Sequence, residues 1–445
     1  MVALWKTLQV ILVLSILILL HESGHFFFAK IFRIRVDKFF LFFDVGGFKL
    51  LSTKQGWFSK LFPALRDKET EYGIGWLPLG GYCKINGMID ESMDTEYLSH
   101  EPKPWEFRTK PAWQRLLVMS GGVLFNFISA MVFFALLLGI WGETYIGNEG
   151  NAIYVNDLSY DMGFRSGDRI LLLDDYEPEN FGMLTAELVR RRTHKVTLLR
   201  GADTLSLYMD LSRTGEMLQS PDMFTLAVPF VIDTIPPQSL NYGGPLRRGD
   251  RIVAVNGVDI EFVQDSRALI KDHKGETLPV SVVRGADTLA LSMQVDSLGQ
   301  ALIYAQLPGI KTHEYNALEA IPAGVRMTWT TITDYLKDLR MIASPGTGAY
   351  KSVGSFITIG QAMPDTWDWY RFIYLLGLLS IMLGVMNLLP IPGLDGGHIV
   401  FTLYEMITGR KPSDNFMMVA QMVGFVLILA LFVLAFGNDI GRLIR

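Results

Sequence analysis

Thr7-Leu-Gln-Val-Ile-Leu-Val-Leu-Ser-Ile-Leu-Ile-Leu-Leu-His21-Glu22-Ser23-Gly24-His25-Phe-Phe-Phe-Ala29 is an apolar run with three ionisable side chains set inside it. Thr7–Leu20 alone is too short to cross a bilayer, which takes about 20 residues. It reaches that length by running on through His21–Ala29. No small-x-small cleavage site follows the apolar stretch, so residues 1–30 are expected to be a retained membrane-spanning helix. An ionisable group at bilayer depth costs about 2.5–3.5 kcal/mol, and three in one turn need a purpose. On a helix, positions four apart share a face, so His21 and His25 can hold one metal ion between them. Glu22, one position on, can serve as general base toward a metal-activated water.

The rest of the composition agrees with a membrane chain. Of 445 residues, 50% are hydrophobic and 19% are charged, against about 25% charged in soluble domains. A formal net charge of −5 gives no reason to expect a nucleic-acid partner. The single cysteine, Cys83, excludes an internal disulfide framework and a Cys-rich metal site. Three further uncharged stretches are long enough to span: Leu116–Gly142, Phe372–Leu394 and Asn415–Asn438. Spans are therefore expected over 114–142, 371–397 and 415–438, four in all with the first. Lys30, Arg33, Arg35, Lys38, Arg108, Lys110, Arg115, Arg410 and Lys411 cluster at the ends that face one side. The excess of basic residues places 31–113 and 398–414 in the cytoplasm, and 143–370 and the tail 439–445 outside.

The outer region is duplicated. Arg165-Ser-Gly-Asp-Arg-Ile170 matches Arg247-Arg-Gly-Asp-Arg-Ile252, and Arg200-Gly-Ala-Asp-Thr-Leu205 matches Arg284-Gly-Ala-Asp-Thr-Leu289. The period is roughly 80 residues, giving modules over 143–226 and 227–310. Val280–Met293 reads as two strands joined at Gly285, Gly249–Gly257 as a strand ending in an Asn-Gly turn, and Gln264–His273 as a short helix. In the first copy, Asp174-Asp175-Tyr176 stands where that turn would be. This order resembles a PDZ domain, a module that captures extended peptides by strand addition. Residues 311–370 read as a linker with an amphipathic helix over Ile321–Ile342.

A catalytic zinc site takes three protein ligands and a water. The third ligand is sought in Asn387-Leu-Leu-Pro390-Ile-Pro392-Gly-Leu-Asp395-Gly-Gly-His398, where two prolines break the helix and three glycines allow close backbone approach. Both Asp395 and His398 qualify by chemistry, and Asp395 ends the charge-free run.

The His21–His25 motif, the Asn387–Gly397 segment and the interposed PDZ-like pair together resemble the bacterial RseP-type site-2 proteases over nearly the whole chain. That resemblance implies an intramembrane zinc metalloendopeptidase with one Zn2+ per chain. It implies His21, His25 and Asp395 as metal ligands and Glu22 as the general base. It implies Asn387, Pro390 and Pro392 in substrate handling. The family's G-P-x-x-N pattern on the second helix reads Gly122-Val123-Leu124-Phe125-Asn126 here, with Val123 in place of the proline. Asn126 or Asn387 could donate to the developing oxyanion. Glu71–Ile85 looks like the family's membrane-dipping β-hairpin, and Tyr72, Ile74 and Trp76 alternate as on a strand to which a substrate could add. The implied substrate is a single-span membrane protein or peptide, such as a trimmed anti-sigma factor or a remnant signal peptide. The implied setting is the bilayer of the bacterial inner membrane, with the PDZ pair outside, the active site toward the cytoplasm, and the chain a monomer. A PDZ-based adaptor would leave His21, Glu22, His25 and Asp395 unexplained. A zinc transporter would leave the peptide-binding modules unexplained.

Overall fold

The computed structural model describes residues 2–61, 63, 69–78, 80–88, 101–220, 222–344 and 348–444. Two compact units emerge. One joins 1–142, 314–340 and 353–445, and the other joins 143–313 and 341–352.

The first unit is helical. Its elements in chain order begin with α1 (Val2–Ile31), the strands β1 (Val36–Leu41), β2 (Lys49–Ser52), β3 (Glu71–Gly75) and β4 (Tyr82–Ile85), and α2 (Ala112–Trp141). They continue with α3 (Ala317–Ile342), α4 (Phe356–Ala362), α5 (Trp369–Leu388), α6 (Asp395–Thr408) and α7 (Asp414–Ile444). Among the described residues, four helices are long and apolar enough to cross a membrane: Val2–Ile31, Ala112–Trp141, Trp369–Leu388 and Asn415–Arg442. Helices satisfy their own backbone hydrogen bonds, so they can carry apolar side chains such as Phe425, Val433 and Leu136 exposed to lipid.

Helix α2 is the centre of this unit, with α1, α5 and α6 packed on it. Glycine sets the closest crossing. A Cβ on Gly24 would lie 2.1 Å from the Gly121 carbonyl oxygen, and one on Gly121 would lie 2.5 Å from that of Gly24. The backbones of α1 and α2 therefore touch at the level of His21 and His25. Toward the N-terminus of α1, Val13 and Leu17 pack with Phe372 and Leu376 of α5. Ala130 and Phe134 of α2 pack with Ile381 and Val385.

The third expected span, 371–397, is not one helix. It stops at Leu388 and resumes at Asp395, because Pro390 and Pro392 lack the N–H groups an α-helix would use. The intervening loop folds tightly: a Cβ on Gly396 would lie 2.0 Å from the Leu389 carbonyl oxygen. Residues 398–414, read as a loop, are helical as far as Thr408.

The four strands form one sheet in the order β2-β3-β1-β4, with β3 parallel to β1 and antiparallel to β2. Strand β3 is thus interior, paired on both sides. Tyr72 and Ile74, expected on a strand to which a substrate could add, therefore sit on an interior strand, and Trp76 lies just beyond it. Among the described residues, β2 and β4 are the outer strands of this sheet.

The second unit has two apolar cores. The first gathers Ile153, Phe164, Leu198 and Phe224, together with Met341 and Ala349 from beyond the repeat. Part of the expected linker 311–370 is therefore core. The second gathers Phe230, Ile252, Val282 and Met293. The duplicated residues do the same work in each. The backbone N–H of Arg165 donates to Asp168 Oδ2 at 2.8 Å, as that of Arg247 does to Asp250. Arg200 then forks onto buried Asp168, and Arg284 onto buried Asp250. Even the divergent turn keeps its shape, with Asp174 at φ 54° where Asn256 has 51°. The chain enters and leaves this unit side by side, since Glu143–Ile146 pairs antiparallel with Ile310–His313.

Candidate metal centre in the helical unit

His21 and His25 sit one turn apart on α1, and Asp395 is the first residue of α6. The loop after α5 turns Asp395 inward, leaving Leu394 as the N-cap with no side-chain cap bond. Asp395 Oδ2 lies 3.2 Å from His21 Nε2 and 3.3 Å from His25 Nε2, and the two Nε2 atoms are 3.3 Å apart. All three residues offer a ligand atom within 4.8 Å of one another.

This donor set fits a zinc ion. Two imidazole nitrogens and one carboxylate oxygen are ordinary zinc ligands. Asp395 Oδ2 is buried and has no hydrogen-bond partner, as expected of an oxygen meant for a cation. The space around the imidazoles is also kept clear. A Cβ on Gly122 would lie 2.5 Å from both His21 Cε1 and His25 Nε2. Behind the ligands, His25 Nδ1–H donates to the Val118 carbonyl oxygen at 2.8 Å, and the Asn126 amide lies 3.0 Å from His21 Nδ1.

The site opens into a cavity of about 880 Å³. Apolar residues of α1 and α5, among them Leu14, Ile18, Leu379 and Leu383, line one part of it. His21, Glu22, His25, Asn387, Asp395 and His398 share it. Glu22 accepts a hydrogen bond from the backbone N–H of Cys83, so β4 runs past Glu22. Asn387 Nδ2 lies 3.5 Å from His21 Nε2. Gly393 and Leu394 reach the cavity wall, whereas the Pro392 backbone packs against Gly424 and Gly397.

The remaining sequence candidates sort as follows. His398 lines the cavity but is not in the described three-residue cluster. His194 and His273 belong to the other unit, where His273 bonds the Leu269 carbonyl. His313 is exposed there, and His100 lies outside the described residues. Tyr72 packs its ring on Phe26 and Phe39, and Trp76 Nε1–H donates to the Val45 carbonyl oxygen at 3.0 Å. Two contributors escaped the sequence reading. Cys83 was legible only as a lone cysteine, and nothing in its residue type marks a backbone role. Gly122 was visible in its motif, but not the imidazoles it clears.

The family model for Peptidase family M50 matches residues 9–431. The chain belongs to peptidase family M50. Similar chains include the regulator of sigma-E protease RseP of Escherichia coli (strain K12), 27% identical with 99% of each chain covered. The protease RseP of Yersinia pestis is 27% identical, again over 99% of each. The regulator of sigma E protease of Salmonella typhi has the same identity and coverage. This M50 protease is therefore an intramembrane zinc metalloprotease.

Proposed function

We propose that this M50 protease hydrolyses a peptide bond within the membrane span of single-pass substrates, with His21, His25 and Asp395 holding zinc and Glu22 as general base. The observation that carries the assignment is the convergence of those three donor atoms, from helices far apart in sequence, in the same cavity as Glu22. Zinc bound there supplies a Lewis acid for the scissile carbonyl and a water acidified toward neutrality. Glu22 takes the proton of the attacking water and passes it to the leaving amine. The Cys83 N–H keeps the carboxylate turned toward the cavity. Asn387 stands at the wall beside His21, placed to donate to the developing oxyanion.

A helical substrate shields its carbonyls, so it must unwind locally, and its freed backbone groups then need partners in lipid. Strand β4 supports this role better than β3, since among the described residues it is an outer strand of the sheet whereas β3 is interior. Cys83 pairs across from Phe39 yet sends its N–H to Glu22, so its backbone faces away from β1. Ile85, two residues on, faces the same way.

The duplicated unit supports a pair of PDZ-like modules, 143–226 and 227–310, that restrict entry to substrates whose outer domain is already trimmed. Anti-sigma factors and remnant signal peptides are the substrate classes this reading favours. The basic flanks of the spans support an inner-membrane protein with the modules outside and the active site toward the cytoplasm; the working unit of this reading is the single chain.

Glu22→Gln tests the assignment on a single-span substrate with a short outer tail. Zinc content should match the parent, while cleavage should fall by roughly 10²–10⁴-fold, the usual worth of a general base. Equal cleavage by both proteins would refute Glu22 as the base.

A further inference from the structure

We infer that Asn126 is a positioning residue for the metal: its side-chain carbonyl accepts the Nδ1 proton of His21 and so fixes the tautomer in which Nε2 is free to bind zinc. The inference rests on the reading that His21, His25 and Asp395 hold the ion.

The argument begins at His25. Its Nδ1 lies 2.8 Å from the Val118 carbonyl oxygen, which can only accept, so the proton sits on Nδ1 and Nε2 keeps its lone pair. The Nε2 atom points at Asp395 Oδ2. His21 presents the same face, with Nε2 3.2 Å from that oxygen. A neutral imidazole carries one proton, so if Nε2 binds a cation, Nδ1 must carry it and needs an acceptor. The group at that position is the Asn126 amide, at 3.0 Å. Its NH₂ end would set donor against donor, whereas its oxygen completes the bond. The two ends of an amide have the same shape, so hydrogen bonding decides which faces His21. Asn126 is fully buried, and with the NH₂ end toward His21 its Oδ1 has no partner. Turning the amide delivers that oxygen to Nδ1. Metal-binding histidines commonly donate their second N–H to a carboxylate or carbonyl, and removing that acceptor typically weakens metal binding 10–100-fold. The helix around Asn126 is held independently, since its backbone carbonyl accepts from Ser380 Oγ at 2.8 Å.

Acceptor and donor roles separate cleanly by substitution. Asp has the shape of Asn but no N–H, so Asn126→Asp preserves an acceptor and destroys an oxyanion donor. Asn126→Ala destroys both. Zinc affinity of the intact purified protein is measured by chelator competition, with cleavage of a single-span substrate alongside. Asn126→Ala should bind zinc roughly 10–100-fold more weakly than the parent. Asn126→Asp should restore near-parental zinc affinity and keep cleavage. Parental zinc affinity in Asn126→Ala would overturn the inference, as would zinc loss in Asn126→Asp. Parental zinc binding with abolished cleavage in Asn126→Asp would assign Asn126 to the oxyanion instead. If Asn126→Ala does not fold, Asn126→Asp alone decides by the same outcomes. Undiminished zinc affinity in His21→Ala would refute the metal-site reading itself, a failure distinct from that of Asn126.

Discussion

At the scale of the residue, a spacing of four brings two imidazoles to one side of a helix but does not aim their nitrogens. Aiming depends on what surrounds the rings, and Gly122 is the most sensitive neighbour. In Gly122→Ala the new methyl would fall 2.5 Å from His21 Cε1 and His25 Nε2, inside any real contact distance. Both rings must turn. Zinc affinity should drop about 10–100-fold, in the range seen when supports of a metal ligand are lost, with overpacking costing about 1–3 kcal/mol of stability. Gly437→Ala, where a Cβ meets nothing within 4 Å, should leave zinc binding unchanged, and chelator competition on the two variants checks both. His21, Glu22 and His25 were legible in the sequence because local spacing encodes them. Asp395 ranks ahead of His398 by its place at the end of the charge-free run and by the family resemblance, but the loop of Pro390 and Pro392 that turns it inward is not visible in the sequence. The supports, Gly122, Val118 and the Cys83 N–H, act through an absent side chain or through backbone, and composition carries no trace of such roles.

At the scale of the element, alternation of apolar residues identifies a strand but not its neighbours. Tyr72 and Ile74 do lie on a strand, yet β1 returns parallel along one side and β2 closes the other. Parallel pairing joins distant stretches and leaves no local mark. Among the described residues β4 is the outer strand beside Glu22, and Cys83→Pro probes it. Proline fixes φ and replaces the thiol, but the N–H it removes turns from β1 and carries no ladder bond, so the sheet and the zinc should survive. Cleavage should fall roughly 10–100-fold, the loss of one hydrogen bond to a charged group being worth about 1.5–3 kcal/mol. Parental cleavage with parental zinc content would remove β4 from the mechanism. In the second unit Arg284 and Asp250 make a pH-dependent element. The Arg284 guanidinium holds the buried Asp250 carboxyl below its usual range. A depressed folded pKa stabilises above the unfolded value, near 4, and the gain is lost as pH falls through the folded value. Protease resistance of 227–310 in the intact protein should therefore decline below about pH 4. Asp250→Asn should be weaker at neutral pH and show less of that acid-dependent decline.

At the scale of the whole molecule, the chain is a helical unit interrupted by a duplicated one, and the interruption begins and ends on paired strands. Ile146 lies opposite Ile310, and Glu143 opposite His313. Such a ribbon is a natural excision point, because a two-residue Asn-Gly turn can close antiparallel strands. Deleting 147–309 and joining Ile146 to Ile310 through Asn-Gly removes both apolar cores of the second unit while leaving His21, Glu22, His25, Asn126 and Asp395 untouched. Met341 and Ala349 lose the core they fill, so Met341→Ser is included to limit aggregation. The excised protein should keep its zinc. If the modules restrain entry, it should cut an untrimmed single-span substrate at a rate approaching that on the trimmed one, whereas the parent prefers the trimmed form. If the modules instead capture a newly exposed C-terminus, it should cut neither despite bound zinc. Restraint by size blocks untrimmed substrates, whereas capture recruits trimmed ones, so the rate on untrimmed substrate is the quantity that separates them.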